Sequence, residues 1–395
     1  MSKSDPVVIV GLARTPMAAF QGEFSNIPAP ELGAVAIKAA LSESGVKPND
    51  IEQIFMGCVL PAGQGQAPAR QAGFAAGLSK SCEATTVNKM CGSAMQASIL
   101  AHDAIKAGSA NIVIAGGMEN MTLAPYILPK ARGGYRIGGG EIVDTMMFDG
   151  LTDAYAGGAM GVFADKIARE YQFTREDQDA YAIESVTRAK RAQDAGDFDR
   201  EIAPVTVKTR KGETVVAKDA GPMNARPEKI PNLRPVFAKD GTVTAANASS
   251  INDGAAALVL MKKSEAEKRG LKILAEIKAH AAHAHEPDYF TTAPVGAMEK
   301  VLAKAGWDKD DVDLWEINEA FAVVPMIAMR DMKLDHAKVN VNGGACVLGH
   351  PIGASGARIM ATLIAALEKR GLTKGIASLC IGGGEATAIA LERPV

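Results

Sequence analysis

The sequence has few cysteines and no closely spaced cysteine pair. Five cysteines occur in 395 residues, and none has another cysteine three positions away. An odd, scattered set of this kind does not build a disulfide framework, and the missing Cys-x-x-Cys motif argues against a zinc site. We therefore expect reduced thiols and a cytoplasmic protein.

The sequence also lacks an excess of charge and any long apolar run. Its formal net charge is −2, with 43 basic and 45 acidic residues. Proteins that bind nucleic acid usually carry a basic surplus, so no nucleic-acid partner is expected. A membrane-spanning helix needs about 20 apolar residues in succession, and no such run occurs. The first six residues resemble neither a secretory signal nor an Arg-rich presequence.

Two common kinds of site are missing as well. No Gly-x-x-x-x-Gly-Lys-Ser/Thr phosphate loop is present, and the Gly138–Gly140 triplet has no strand–helix frame. His280, His283 and His285 lie near Glu286, but their spacing fits a strand and a loop, and no second acidic or thiol group accompanies them. We therefore predict that the protein has no metal site.

Glycine, in contrast, is abundant. The chain has 40 glycines, above the usual share of about 7%. Several stand in clusters, at positions 116–117, 343–344 and 382–384. Such clusters predict points where the backbone approaches another chain segment or a ligand closely.

Two pairs of segments resemble each other at an offset of about 260 residues. Residues 36–57 and 297–319 each read as an amphipathic helix, a glycine stop and an apolar strand. The segments that begin at Val87 and Val341 each lead into a helix and a second strand. An internal duplication predicts two α/β halves with largely parallel sheets, although two generic α/β units can look alike by chance.

Residues 121–249 match neither copy and read as an insertion in the first half. They begin with Gly- and Pro-rich sequence and continue with a helix from Arg175 to about Ala195, for which Thr174 and Asp177 predict a capping box. We predict three units: residues 1–120 with 251–273 as the first half, 121–250 as an inserted loop domain, and 274–395 as the second half.

Four side chains occupy positions that suit a catalytic role. Cys91 precedes a helix, whose dipole favours the thiolate, but an inert buried cysteine fits its surroundings equally well. His350 lies in a Gly-rich loop before a helix, where a base and a structural histidine are both compatible. Cys380 and Asn318 end apolar strands, the place where parallel α/β sheets carry their sites, although Cys380 also fits a buried core position.

Five sequence blocks together resemble the thiolase family over essentially the whole chain. They are NKMCGSAM around Cys91, GTVTAANASSINDGAAA from Gly241, NEAF from Asn318, GHPIGASGAR from Gly349 and CIGGG from Cys380. The resemblance implies a duplicated five-layer α-β-α-β-α fold with a loop domain inserted in the first half.

The resemblance also implies a role for each of the chemical groups. Cys91 corresponds to the nucleophile that becomes acylated, and His350 to the base that takes its proton. Cys380 corresponds to the acid/base that removes the α-proton of the second substrate. Asn318 corresponds to the residue that holds a water, which with His350 forms one oxyanion hole. The N–H groups of Cys91 and Gly382 correspond to the donors of a second oxyanion hole, which serves the tetrahedral intermediate.

By motif position, a further set of residues is expected to contact the coenzyme A thioester. This set comprises Leu151, Met160, Arg226, Phe237, Ala245, Ser249, Phe290, Ala320 and Phe321. Arg226 is the expected basic residue at the adenine end, and Phe290 stands at a pocket position. Ala159 replaces the histidine that is usual in the family. No cofactor is implied, and the loop from Leu123 to Gly140 resembles the segment that joins dimers into homotetramers.

The motif pattern implies an acyltransferase that interconverts two acetyl-CoA with acetoacetyl-CoA and coenzyme A through an acyl-cysteine. A broader 3-ketoacyl-CoA thiolase of β-oxidation is the alternative, since the motifs barely separate the two. The NEAF block and the second cysteine argue against a decarboxylating ketoacyl synthase. The complete set of four catalytic groups argues against a non-catalytic, lipid-carrying relative.

Overall fold

A computed structural model describes residues 5–210 and 212–394 of the chain. Residues 1–4, Lys211 and Val395 lie outside the described residues. The expectation that the chain has no leader rests partly on residues 1–4 and therefore stays a prediction.

The elements alternate between strands and helices along most of the chain. The strands are β1 (Val7–Arg14), β2 (Ala18–Ala19), β3 (Gln53–Gly57), β4 (Glu83–Val87), β5 (Ile112–Asn120), β6 (Tyr126–Ile127), β7 (Val143–Asp144), β8 (Val205–Thr209), β9 (Gly212–Val216), β10 (Asn252–Lys262), β11 (Ala275–Ala284), β12 (Leu314–Ile317), β13 (Lys374–Ile381) and β14 (Glu385–Glu392). The helices are α1 (Ala29–Ser44), α2 (Pro68–Ala76), α3 (Ser93–Ala107), α4 (Met160–Glu170), α5 (Arg175–Asp194), α6 (Ala220–Asn224), α7 (Lys263–Lys268), α8 (Ala293–Ala305), α9 (Val323–Met332), α10 (Ala345–Leu348) and α11 (Ser355–Arg370).

The strand order repeats in the two halves of the main sheet. The first half runs β4-β3-β5-β10-β1, and the second runs β12-β13-β14-β11. In the second half, a short bridge between Trp315 and Val339 lies beside β12. It occupies the position that β4 occupies beside β3 in the first half. Strands β1 and β11 pair antiparallel at the junction. The predicted internal duplication is therefore confirmed.

The expectation of largely parallel sheets is wrong, because both halves are mixed. Strands β3, β4 and β5 are parallel, as are β12 and β13. Strands β10 and β14 instead run antiparallel to their neighbours. Only the three residues Gly382–Gly384 connect β13 to β14, and a connection this short permits only antiparallel pairing.

Five layers follow from the faces on which the helices pack. Helices α1 and α2 bury Leu32 and Ala72 against the outer face of the first half. Helices α3 and α11 bury Met95 and Ile359 between the two halves. Helices α8 and α9 cover the outer face of the second half. The predicted five-layer α-β-α-β-α architecture is confirmed.

The segment between β5 and β10 contains β6–β9 and α4–α6. Helix α5 begins at the predicted capping box, in which the Thr174 side chain accepts from the Asp177 N–H and Asp177 accepts from the Thr174 N–H. Helix α4 contacts α9, and α5 contacts α10, so the segment lies against the second half. The predicted unit boundaries at 120, 250 and 273 stay predictions.

Within the part of the chain that the structure describes, no helix combines the length and apolar character needed to cross a bilayer.

Candidate active site

Cys91 lies in a strained turn between β4 and α3. The preceding residue, Met90, has a φ of 46°, in the left-handed region that non-glycine residues seldom adopt. Ser93 closes the turn, because its hydroxyl accepts from the Lys89 N–H at 2.9 Å and donates to the Met90 carbonyl at 2.6 Å. Strain of this kind is concentrated at functional sites.

The end of β13 lies directly against this turn. A Cβ atom on Gly92 would overlap the Cδ1 atom of Ile381. Glycine at position 92 therefore lets the segment Cys380–Gly382 approach Cys91. The two thiols are close enough that Cys91 contributes, after burial, to raising the pKa of Cys380 well above its ordinary value.

Two backbone N–H groups converge on the Cys91 sulfur. Burial raises the pKa of this thiol to about 11, although hydrogen bonds from the N–H groups of Gly382 and of Cys91 itself act in the opposite direction. These are the donors that the predicted hole at Cys91 and Gly382 requires. At rest the sulfur is a protonated thiol and needs a base.

His350 lines the same cavity as Cys91 and is a neutral imidazole. Its Nδ1 atom lies 2.6 Å from the Ser355 hydroxyl, which donates to the Pro351 carbonyl at 2.9 Å. Nδ1 therefore carries the proton, and Nε2 keeps its lone pair. Nε2 is buried, with no hydrogen-bond partner among the described residues. Burial, and then the charge of Arg358, lowers the pKa of His350 to about 3.

Asn318 is held beside His350 from two sides. Its N–H donates to the carbonyl of Ser378 on the neighbouring strand β13 at 2.9 Å. Its Oδ1 atom accepts from Arg358 at 3.4 Å. Its Nδ2 atom lies 3.5 Å from the His350 Nδ1 atom, but both nitrogens are donors once Nδ1 carries its proton, so they form no hydrogen bond. Arg358 thereby sets which way the amide faces.

Arg358 is itself held by a buried carboxylate. Its Nη1 atom donates to Glu316 at 3.1 Å, and both side chains are almost fully buried. Burial raises the pKa of Glu316 to about 8, although the charge of Arg358 opposes the shift.

A cavity of about 460 Å³ opens next to these groups. Cys91, His350 and Gly382 line it. Most of the predicted coenzyme A contacts line it too, namely Leu151, Met160, Phe237, Ala245, Ser249, Phe290, Ala320 and Phe321. The structure therefore brings residues from both halves and from the insertion to one apolar chamber.

Three predicted residues lie outside this lining. Asn318 and Cys380 are both only 1% exposed and lie behind the wall. Arg226 is exposed, donates to the carbonyl of Ala225, and is not among the described lining residues. The loop after α6 leaves this side chain in solvent outside the cavity, and the expectation that Arg226 contacts the adenine end of the ligand stays a prediction.

The cavity also contains residues that the sequence reasoning missed. A single π-helical turn, Met146–Leu151, contributes Met147 and Gly150, and such turns recur at functional sites. Val236 and Ile352 line the chamber as well. Ile352 is two positions after His350 and could have been found from that motif, whereas nothing in the sequence around Met147 or Val236 indicates the site.

Three aromatic rings form one part of the wall. The Phe321 ring meets the edges of Phe237 and Phe290, each with ring centres 6.2 Å apart. Ala159 also lines the cavity, so the position where the family usually has a histidine does face the ligand space.

Comparison with known proteins agrees with this geometry. The chain matches the thiolase N-terminal domain over residues 7–264 and the thiolase C-terminal domain over residues 271–393. An acetyl-CoA acetyltransferase of Chromobacterium violaceum is 51% identical over 391 residues, covering 98% of this chain and 100% of the relative. One of Saccharomyces cerevisiae is 50% identical over 396 residues, covering 99% and 100%.

Solved structures match closely as well. The structure of acetyl-CoA acetyltransferase from Syntrophomonas wolfei superimposes with a TM-score of 0.96 at 42% identity, covering 99% of this chain and 100% of that one. The Acat5 thiolase from Ascaris suum, in complex with coenzyme A, gives a TM-score of 0.93 at 42% identity, covering 98% and 100%. With both family domains matched in order across the duplicated fold, the chain belongs to the thiolase family.

Proposed function

We propose that the protein is an acetyl-CoA C-acetyltransferase, which condenses two acetyl-CoA to acetoacetyl-CoA and coenzyme A and also runs the reverse thiolysis. The observation that carries this proposal is that Cys91 and His350, whose Nε2 atom has no partner among the described residues, line one apolar cavity, with the buried Cys380 thiol close to Cys91. Relatives of about half identity over their full length carry the name acetyl-CoA acetyltransferase.

In the first half-reaction, Nε2 of His350 takes the proton of Cys91, and the thiolate attacks the acetyl thioester. The N–H groups of Cys91 and Gly382 stabilise the negative oxygen of the tetrahedral intermediate, a contribution of about 3–4 kcal/mol per donor in such sites. The bond to the coenzyme A sulfur breaks, and Cys380 protonates the departing thiolate. Acetyl-Cys91, a Cys380 thiolate and a protonated His350 remain.

In the second half-reaction, the Cys380 thiolate removes the α-proton of a second acetyl-CoA. The enolate oxygen accepts a hydrogen bond from Nε2–H of His350 and one from the water that Asn318 is proposed to hold. The enolate carbon then attacks acetyl-Cys91, and Cys91 regains its proton from His350. Each proton is returned, so both thiols are restored at the end of the cycle. The raised pKa of Cys380 makes its thiolate, once formed, a stronger base for the α-proton.

The proposed substrates are coenzyme A thioesters, and no bound cofactor takes part in this scheme. The Ascaris suum thiolase was solved with coenzyme A. The apolar chamber suits the pantetheine arm, and the insertion residues Leu151, Met160 and Phe237 contribute to it. We propose that residues 121–250 form the unit that supplies most of these contacts.

A short acyl group is favoured by the three-ring wall of Phe237, Phe290 and Phe321. The broader 3-ketoacyl-CoA thiolase remains the second candidate. Comparison of thiolysis rates for acetoacetyl-CoA and 3-ketooctanoyl-CoA separates the two. A strong preference for acetoacetyl-CoA is expected, and comparable rates would favour the second candidate.

The acyl-enzyme gives the direct test of the proposal. Intact-protein mass spectrometry after brief exposure to acetyl-CoA should detect one added acetyl group, and peptide mapping should place it on Cys91. Cys91→Ser should remove this adduct, because an alkoxide is far harder to form than a thiolate. Cys380→Ala should still be acetylated but should not condense. An adduct on Cys58 or Cys82 would contradict the assignment.

We also propose a homotetramer assembled through the loop from Leu123 to Gly140. Apolar side chains are exposed on and beside it, among them Tyr126 (66%), Ile137 (99%) and Ile142 (66%), and such patches mark association surfaces. Sedimentation should give a tetramer for the parent and a dimer for Ile137→Glu. A parent that sediments as a dimer would contradict this proposal.

A cytoplasmic location is proposed on the basis of the chain's thiols, since all five cysteines are unpaired. Cell fractionation tests it, and recovery outside the cytoplasmic fraction would contradict it.

A further inference from the structure

The three histidines near Glu286 do not act as one group. On strand β11 the side chains alternate between two faces. His283 lies against Gly296 of α8, whereas His280 lies on the face toward α3, where it meets His102 and Asp103. The sequence places these partners 177 positions apart, so their association arises only from the packing of α3 against the sheet.

In contrast to the expectation from the sequence that the protein has no metal site, we propose that His102, Asp103 and His280 form a Zn²⁺ site that links the two halves of the molecule. The Oδ1 atom of Asp103 lies 2.9 Å from His102 Nδ1 and 3.0 Å from His280 Nε2. All three ligand atoms lie within 4.8 Å of one another. Zinc bonds of about 2.0–2.2 Å place tetrahedral ligand atoms roughly 3.3 Å apart, so modest side-chain rotation is sufficient.

The chemistry of the three ligands favours zinc over magnesium or calcium. Two imidazole nitrogens and one carboxylate oxygen match the ligand set of zinc, whereas Mg²⁺ and Ca²⁺ prefer oxygen alone. The site is partly open to solvent, so a water can complete the tetrahedron.

Coordination uses one nitrogen of each imidazole, and each ring can carry its proton on the nitrogen that faces away from the ion. Without metal, both rings direct an N–H at Asp103. With metal, His102 carries its proton on Nε2 and His280 on Nδ1, and the freed lone pairs coordinate. The ion therefore replaces two hydrogen bonds to one oxygen with three metal–ligand bonds.

The position of the cluster suggests a structural role. Helix α3 belongs to the first half and begins beside Cys91, whereas β11 belongs to the second half. His102 is eleven positions after Cys91, or roughly 16 Å along the helix at 1.5 Å per residue. Zinc here would stabilise the folded protein by mass action without entering the reaction.

Metal titration of the full-length chain tests the proposal. Zinc binding is measured by calorimetry on metal-stripped protein in a Cys91→Ala background, which removes the cavity thiol as a competing ligand. Co²⁺ serves as a second probe through its visible absorption. We expect one ion per chain and a Zn²⁺-dependent rise in melting temperature. Asp103→Asn, which keeps the side-chain shape, should weaken binding at least about tenfold.

His283→Ala is the matched control, because it removes a histidine from the other face of the same strand. It should bind zinc like the parent and show the same rise in melting temperature. The proposal is overturned if the parent and Asp103→Asn bind equally well, if His283→Ala loses binding to the same extent, or if no saturable binding occurs up to about 100 µM, well above a useful dissociation constant.

Discussion

At the scale of single residues, Cys91 and His350 are both uncharged at rest. Burial raises the pKa of Cys91 to about 11 and lowers that of His350 to about 3. The thiol and the imidazole are therefore both uncharged at rest, and in the proposed mechanism an ion pair forms only when substrate is present. This arrangement protects an accessible thiol from reacting without substrate, because the thiolate is the nucleophile.

Alkylation of Cys91 by iodoacetamide should therefore become faster with rising pH across about pH 6–10, without a plateau. Inactivation rates measured over this range, with peptide mapping of the labelled site, provide the test. Acetyl-CoA should protect. A plateau that begins near pH 5 would indicate a resting thiolate–imidazolium pair and contradict the neutral description.

Arg358 should act on the reaction through Asn318 and His350, which it orients and polarises. Arg358→Met is expected to lower the condensation rate by about tenfold or more, because the amide of Asn318 is no longer fixed. Loss of the positive charge should also raise the pKa of His350 and move the acidic limb of the pH–rate profile upward. Arg358→Lys should restore part of the rate.

Thr362→Val is the control for Arg358, because Thr362 lies one turn further along α11 and donates to Glu201 instead of Asn318. An unchanged pH profile in Arg358→Met, or an equal shift in Thr362→Val, would show that Arg358 has only a structural role.

At the scale of elements, the site depends on how closely the start of α3 approaches the end of β13. The turn before α3 carries Cys91, the proposed nucleophile, and the three-residue connection after β13 carries Gly382, whose N–H is the proposed donor. Gly92 allows the contact, since a side chain there would overlap Ile381. The close approach of α3 and β13, which belong to different halves, therefore requires that residue 92 has no Cβ atom.

Gly92→Ala should separate the two elements and lower both acylation and condensation, because the Gly382 N–H would no longer reach the Cys91 sulfur. Initial rates and the yield of acetyl-enzyme measure the effect. Gly133→Ala is a suitable control, since a Cβ there meets nothing within 4 Å among the described residues. Wild-type acylation in Gly92→Ala would contradict this account of the contact.

At the scale of the whole molecule, a buried carboxylate ties the two halves together. Glu119, at the end of β5, accepts from the N–H groups of Val59 and Leu60 in the first half and of Gly353 in the second. Burial nevertheless raises its pKa to about 7. The folded state thus holds a proton on Glu119 that the unfolded chain releases at lower pH.

A raised carboxyl pKa stabilises the fold at low pH, and this contribution is lost as pH rises from about 4.5 to about 7. Glu119→Gln should be less stable overall, but it lacks this pH-dependent loss. Between pH 5 and pH 8 its melting temperature should therefore fall less, or rise more, than the melting temperature of the parent. His350, whose lowered pKa has the opposite effect, is present in both proteins and cancels in the comparison. Parallel curves would contradict the assignment.

The sequence by itself determined the local order of the protein. Helix α5 begins at its capping box, the duplicated strand–helix units recur at the predicted offset, and Cys91 precedes α3, because these features depend on neighbours within a few turns of chain. The motif blocks also contain Cys91, His350 and Gly382, which line the cavity, whereas the catalytic roles of these residues stay predictions.

Only the tertiary structure decided which distant groups meet and in what protonation state. Strands β10 and β14 run antiparallel, Arg226 remains in solvent, and His280 joins Asp103 instead of His283. The neutrality of Cys91 and His350 also comes from burial by both halves. Such outcomes depend on packing between segments far apart in the chain, about which local sequence pattern carries no information.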